Sequence, residues 1–267
     1  MNKALSQILE HSEALYWSRV YGEVPGLPTY TRNIQGAIAC SIPQIDMLAL
    51  NRVIGLGFEE AVKPETLEEI KNFFRQAGAP RFFIQLSPHV PQEGLSEMMT
   101  EHGFKLHNRW AKLWQELEKE PLEPNTELSL VEIGKADAKT YAEIIKKSFG
   151  WEQEGLLPLL SESVGKKGYT HYLAYHGETA IAAAALHLYP DAAAMAFAGT
   201  LPEYRGLGAQ NALLQIRLKK AWDNGVRLIH SETAENTLDN PVASYRNMVR
   251  NGFQEAYTRD NWICVLA

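Results

Sequence analysis

The chain has 267 residues, 45% hydrophobic and 22% charged, the balance of a globular protein with room for one large domain or two of ordinary size. A formal net charge of −6 argues against a nucleic-acid binder, although a local basic patch on an acidic body still suits one small phosphorylated ligand. Two cysteines, Cys40 and Cys264, make neither a disulfide framework nor a metal cluster, and they fit a reducing compartment.

The opening residues, Met1 to Tyr21, set Glu10, His11, Glu13 and Arg19 among apolar positions, unlike the apolar core of a signal peptide. No apolar run is long enough to span a membrane, so the expected location is the cytoplasm. Arg52 to Gly57 reads as a strand, Glu65 to Gln76 as a helix stopped by Gly78, and Arg81 to Leu86 as the next strand. A second helix ends in Met-x-x-x-Gly-Phe, Met99 to Phe104, and a strand containing Trp110 follows.

Residues Glu116 to Thr126 are acidic, hold two prolines and lack apolar periodicity, which marks a linker. Beyond it, Ala136 to Ser148 reads as a helix and Ala192 to Thr200 as a small-residue apolar strand. The turn Tyr204-Arg205-Gly206-Leu207-Gly208-Ala209-Gln210 joins that strand to a helix from Asn211 to Asn224, and Gly225 then precedes a strand from Val226 to Glu232. Met-x-x-x-Gly-Phe recurs at Met248 to Phe253, again before a tryptophan strand, at Trp262. The repeated order predicts a tandem duplication, with residues 1–120 as one copy and 121–267 as the other. Alternating strands and helices place both in the α/β class.

The two strand–helix junctions differ. In the second half a glycine-spaced turn leaves backbone N–H groups uncovered at a helix N-terminus beside Arg205, a cradle for pyrophosphate. In the first half the connection reads as Phe58 to Pro64, with no glycine pair and with Glu59 and Glu60 where phosphate would lie. The first half is therefore expected to serve as a scaffold or substrate wall. No Gly-x-x-x-x-Gly-Lys-Ser/Thr string is present, and Gly206-Leu207-Gly208 lacks the third glycine of a dinucleotide fingerprint. A nucleotide-binding oxidoreductase is the weaker reading for that reason.

Arg205-Gly206-Leu207-Gly208-Ala209 fits the first five positions of the Arg-x-x-Gly-x-Gly/Ala turn of the GNAT (GCN5-related) N-acetyltransferases, which the chain resembles. The resemblance extends from about Thr126 to Ala267. Tyr172 to Tyr175 and Thr179 to Tyr189, around His176-Gly177-Glu178, resemble the family's hairpin, and Asn240 to Phe253 resembles its Gly-Phe helix. The first half resembles a degenerate copy without a phosphate loop, as in tandem-GNAT proteins. The resemblance implies two domains, each a mixed sheet with a splayed parallel pair at its centre and helices at its flanks.

It also implies a cofactor, acetyl-CoA. The backbone of Phe197, Ala198, Gly199 and Thr200 would pair with the pantetheine arm, and Arg205, Gly206, Leu207, Gly208, Ala209 and Gln210 would hold the pyrophosphate. Gln210 stands where the family prefers Gly or Ala, and its side chain is expected along the helix flank. Small residues at Ala194, Ala196, Ala198 and Gly199 suit close approach of a thioester, or simply a tightly packed strand. Ser244 and Asn247 are cofactor-contact candidates on one helix face.

Acetyl transfer to an amine needs a neutral nucleophile, a polarised carbonyl and a stabilised thiolate. Many relatives place a tyrosine acid where this chain has Met248, and Tyr245, nearly a turn earlier, is the substitute. The strand Ala192 to Thr200 holds no Glu, Asp or His, so a base falls to Glu232, with His230 or His187 as others acting through water. Trp151-Glu152-Gln153-Glu154 lies where the family lines its acceptor site, and Trp151 with Glu152 suits a cationic amine. The expected activity is acetyl transfer to a primary amine, small-molecule or peptide, in a ternary complex, with no metal, nucleic acid or membrane involved. A non-catalytic acyl-CoA sensor of the same fold is the alternative, and oligomeric state is open.

Overall fold

The computed structural model describes residues 3–22, 24–153 and 155–266. The chain divides into two compact units that interleave in sequence. The first comprises residues 1–112, 233–242 and 255–267, and the second 113–232 and 243–254.

The first unit begins with α1 (Lys3–Val20), for which the sequence reading assigned no element, and continues with β1 (Tyr30–Ile34), β2 (Ala37–Ser41), β3 (Asn51–Ile54), α2 (Pro64–Ala77), β4 (Arg81–Leu86) and α3 (Leu95–Glu101). Most of β5 (Lys105–Glu116) and β11 (Gln254–Val265) complete it. Its strand order is β1-β2-β3-β4-β11-β5. The strands β1 to β3 pair antiparallel, β3 and β4 parallel, and β11 antiparallel to β4 with Trp262 opposite Ile84. The sheet is therefore mixed. Apolar positions of α2, among them Leu67, Ile70, Phe73 and Phe74, pack with Phe82, Ile84, Phe104 and Trp262 into one core.

Two expectations for this half are corrected. The strand ends at Ile54 rather than Gly57, and both Gly55 (φ 82°) and Gly57 (φ 88°) lie in the turn with positive φ. A glycine pair thus does follow the central strand. The helix after it, α2, starts with Pro at its first position after Lys63, which removes one of its first-turn N–H donors. The Glu59 carboxylate also folds back against Gly36, where an added Cβ would lie 2.2 Å from its Cδ.

The same unit buries an ionic cluster. The carboxylates Glu10 and Glu13 of α1 meet Arg259 of β11 at 3.0 and 2.8 Å, Tyr257 donates to Glu10 at 2.7 Å, and Lys112 of β5 pairs with Glu13. Arg52 of β3 donates to Gln85 at 2.8 Å and lies 4.1 Å over the Trp17 ring. Arg52, Lys112 and Arg259 are all 0% exposed. Charges without water must satisfy one another, so this cluster ties α1 to strands far away in sequence.

The second unit contains β6 (Ser129–Ile133), α4 (Ala138–Phe149), α5 (Leu156–Ser163), β7 (Tyr169–His176), β8 (Thr179–Leu188), β9 (Ala193–Thr200), α6 (Ala209–Asp223), β10 (Leu228–Ala234) and α7 (Ala243–Arg250), with the end of β5. Its strand order is β5-β10-β9-β8-β7-β6. The strands β6 to β9 pair antiparallel, and β9 and β10 are parallel. The elements expected here agree with the observed ones to within a few residues at their ends, which is where boundaries fray, while β6 and α5 had no expected counterpart. The expected linker contains the end of β5 and the approach to β6.

Candidate functional site

The site begins as a break in a ladder. Between β9 and β10 the parallel register covers only Ile229 with Ala193 and His230 with Ala194. One further link, Ser231 Oγ to the Met195 carbonyl at 2.9 Å, closes the paired stretch. On the other side of β9 the register with β8 slips, so that Phe197 and Ala198 stand opposite Ala184 alone. Phe197 has φ 41°, a left-handed conformation that a bulky residue adopts only under constraint. Two residues against one is a β-bulge, which kinks the strand and re-aims its backbone groups. Residues Ala196, Phe197 and Ala198 are half-buried, while the rest of β9 is buried.

Arg217 of α6 sits behind this bulge. It is 2% exposed and donates to the carbonyls of Leu213 at 2.8 Å and Ala185 at 3.0 Å. Ala185 is the β8 residue at which pairing resumes. Burial pulls this guanidinium down to about 10, with Tyr141 and Tyr172 opposing that shift.

The turn after β9 passes through a short 3₁₀ stretch, Pro202–Tyr204, and enters α6 at Ala209. Gly206 has φ 91° and Gly208, the N-cap, φ 77°. An added Cβ at either glycine would meet nothing within 4 Å, so both stand at an open surface. No side chain caps this helix. Its first-turn N–H groups and the positive end of its dipole therefore face outward, the chemistry a pyrophosphate requires. The expected start of this helix at Asn211 moves back to Ala209, because Ala209 is buried and opens the core face of the helix.

Arg205 is exposed and donates from one terminal nitrogen to the Ser148 carbonyl at 3.1 Å, in the last turn of α4. Gln210 does not lie along the helix flank as expected. It turns to β9 and donates to Thr200 Oγ1 at 3.0 Å. Gly199 leaves no room for a side chain, since a Cβ there would lie 2.4 Å from Ser148 Cβ. Thus α4, β9 and the turn close on one another at Ser148, Gly199 and Arg205.

On α7, Ser244 is exposed and Asn247 half-buried. Asn251 Nδ2 donates to the Asn247 carbonyl at 2.8 Å and to Asn211 Oδ1 at 2.7 Å, linking α7 to the first turn of α6. Met248 is buried among Leu113, Leu214, Leu218 and Phe253, and half-buried Tyr245 packs against the same cluster. Glu232 is half-buried on β10. His230 is 1% exposed, and His187 is 0% exposed with its ring 4.5 Å from Tyr169. Both histidines are core residues, and Glu232 is the acid–base candidate with solvent access.

Trp151 is half-buried, and Glu152 is exposed; Glu154 lies outside the described residues. The Trp151 ring lies flat on Phe149, centroids 4.5 Å apart at 12°, and meets Phe197 edge-on at 6.4 Å and 88°. Sequence reasoning missed Phe149 and the side chain of Phe197. The signal available was the aromatic pair flanking Gly150.

The profile of the Acetyltransferase (GNAT) family matches residues 138–248, which span this site from α4 to Met248. No curated protein matches the chain by sequence. Among solved structures, a GCN5-related N-acetyltransferase from Kribbella flavida superposes with a TM-score of 0.67 at 15% identity, over 98% of this chain and 96% of that one. One from Sphaerobacter thermophilus gives 0.64 at 14% identity, over 99% and 92%. A tandem GNAT protein from the clavulanic acid biosynthesis pathway gives 0.61 at 15% identity, over 97% and 94%. At such identities the likeness is one of fold, and it covers nearly the whole chain. The bulged strand, the parting parallel pair and the uncapped helix thus fall within residues 138–248, the stretch that matches the GNAT acetyltransferase family.

Proposed function

We propose that the chain is an N-acetyltransferase that moves an acetyl group from acetyl-CoA to a primary amine by direct attack in a ternary complex. The observation that carries this reading is the junction of the Phe197 bulge with the uncapped N-terminus of α6. Backbone groups of Phe197 to Thr200 would bind the pantetheine arm as an added strand. Arg205 and the N–H groups from Gly206 to Gln210 would hold the pyrophosphate, with Ser244 and Asn247 at its side. The backbone N–H near Ala198 or Gly199 would polarise the thioester carbonyl.

In this reading the amine nitrogen forms the new C–N bond as the C–S bond breaks. Glu232 takes the amine proton through water, and Tyr245 gives a proton to the departing sulfur. Trp151 and Glu152 face the acceptor. Residues 1–120 and 121–267 are read as two copies of one ancestral domain, the first having lost its cradle at Lys63-Pro64. The two-residue parallel register of β3 and β4, which repeats that of β9 and β10, supports that descent.

Isothermal titration with CoA tests the cradle. Arg205→Glu is expected to weaken CoA at least a hundredfold, because a carboxylate then faces the pyrophosphate. Equal affinity in the variant would move the site elsewhere. Thiol release from acetyl-CoA across an amine panel tests turnover, and silence across the panel with CoA bound would reduce the chain to an acyl-CoA-binding protein.

A further inference from the structure

We infer that the acceptor carries a flat apolar group, for which an aryl ring is the simplest form, and that the exposed part of Phe149 is its seat. This rests on the reading of the second unit as an acetyltransferase.

The last residue of α4 is Phe149, and Gly150 (φ 66°) turns the chain so that Trp151 comes back flat against it. Phe149 remains 48% exposed, although its neighbour in the stack is half-buried. Behind the stack, Trp151 meets Phe197, the residue held at positive φ in the bulge. Phe149 Cε2 also lies 3.7 Å from where a Cβ on Gly199 would stand. The three rings therefore border the bulge, beside which the acetyltransferase reading puts the reacting carbonyl. A ring fixed by stacking but left half in water is a preformed apolar surface, and its desolvation rewards a flat partner.

Trp151 already covers one face of Phe149, and a flat apolar partner extends that stack where an alkyl chain ending in a hydroxyl or a second ammonium does not. Phe149 thus selects the acceptor and takes no part in proton transfer.

The test uses the full chain with CoA bound and three probe amines: 2-phenylethylamine, ethanolamine and 1,4-diaminobutane. Saturation-transfer NMR reads contact with the protein, and thiol release from acetyl-CoA reads turnover. The expected result is saturation transfer to the phenyl protons, and a kcat/KM for 2-phenylethylamine about tenfold above either competitor. Phe149→Ala should remove that preference, Phe149→Tyr should keep it, and CoA affinity should be unchanged in both. Absence of saturation transfer to 2-phenylethylamine, or a preference for 1,4-diaminobutane, overturns the inference even if amines are acetylated. Saturation transfer that is lost in Phe149→Ala, with no thiol released from any amine, upholds the aryl seat while the acetyltransferase reading falls.

Discussion

Gln210 donates a hydrogen bond from Nε2 to Thr200 Oγ1 at 3.0 Å, joining the first turn of α6 to the last residue of β9. The two residues bracket the turn that carries Arg205, Gly206 and Gly208. Gln210→Ala should therefore loosen the cradle more than the fold. The bond is partly exposed, so its loss should cost about 1 kcal/mol or less in unfolding free energy. CoA affinity should fall by a few-fold, read by titration calorimetry. A variant with unchanged CoA affinity would show that the turn holds its shape without this link.

Gly199→Ala should act through packing. The added Cβ would lie 2.4 Å from Ser148 Cβ and 2.8 Å from its Oγ, so α4 and β9 must separate. A loss of about 1–3 kcal/mol is expected in denaturant unfolding. Ser148→Gly in the same chain should recover part of it, since that removes the atoms met first. No recovery would place the strain elsewhere on β9.

Glu13→Ala should be among the most damaging single changes in the first unit. It takes from Arg259 one of its two carboxylate partners, and from Lys112 the carboxylate it pairs with, and both cations are 0% exposed. Breaking a buried pair on one side costs about 3–5 kcal/mol. Deleting β11 should likewise release α1, because Arg259 is its anchor. Hydrogen exchange over residues 3–20 reads both effects, and protection that persists in Glu13→Ala would contradict the assignment.

His171 should make the protein acid-sensitive well above the carboxylate range. It is 1% exposed, with Nε2 3.0 Å from Ser163 Oγ and its ring 4.6 Å from Tyr141. Burial, with help from Lys135, pulls its value from 6.5 down to about 4. The unfolded chain therefore takes up a proton near pH 6.5 that the folded chain refuses until about 4. Stability follows the state that binds fewer protons, so it is full above pH 6.5 and falls as the pH drops toward 4, by at most about 3 kcal/mol. Melting temperatures of wild type and His171→Asn between pH 7 and 5 check this. The variant should show the flatter profile, and parallel profiles would remove His171 as the cause.

The turn from Arg205 to Gln210 was legible in the chain because its determinants are local. Two glycines supply positive φ, one arginine supplies charge, and an apolar strand and an amphipathic helix stand at its sides. The resemblance to the GNAT family rested on the same local order. That Met248 cannot donate a proton also followed from residue type, whereas its burial with Leu113, Leu214, Leu218 and Phe253 did not. Gly55 and Gly57 show the limit of such reading. A strand that continues and a strand that stops at Ile54 look alike until pairing with β4 is known.

Tertiary structure alone decided three things. It put the bulge at Phe197, because no side chain of that kind chooses φ 41° by itself; the β8 register and the packing around Arg217 hold it there. It placed the last strand, β11, in the first unit, since strand partners are selected by surfaces far apart in sequence. It also brought Phe149, Trp151 and Phe197 together, through a helix end and a bulge separated by some fifty positions. Propensity, caps and turns act over a few residues and are written in the chain; register, burial and ring stacking exist only once distant segments meet.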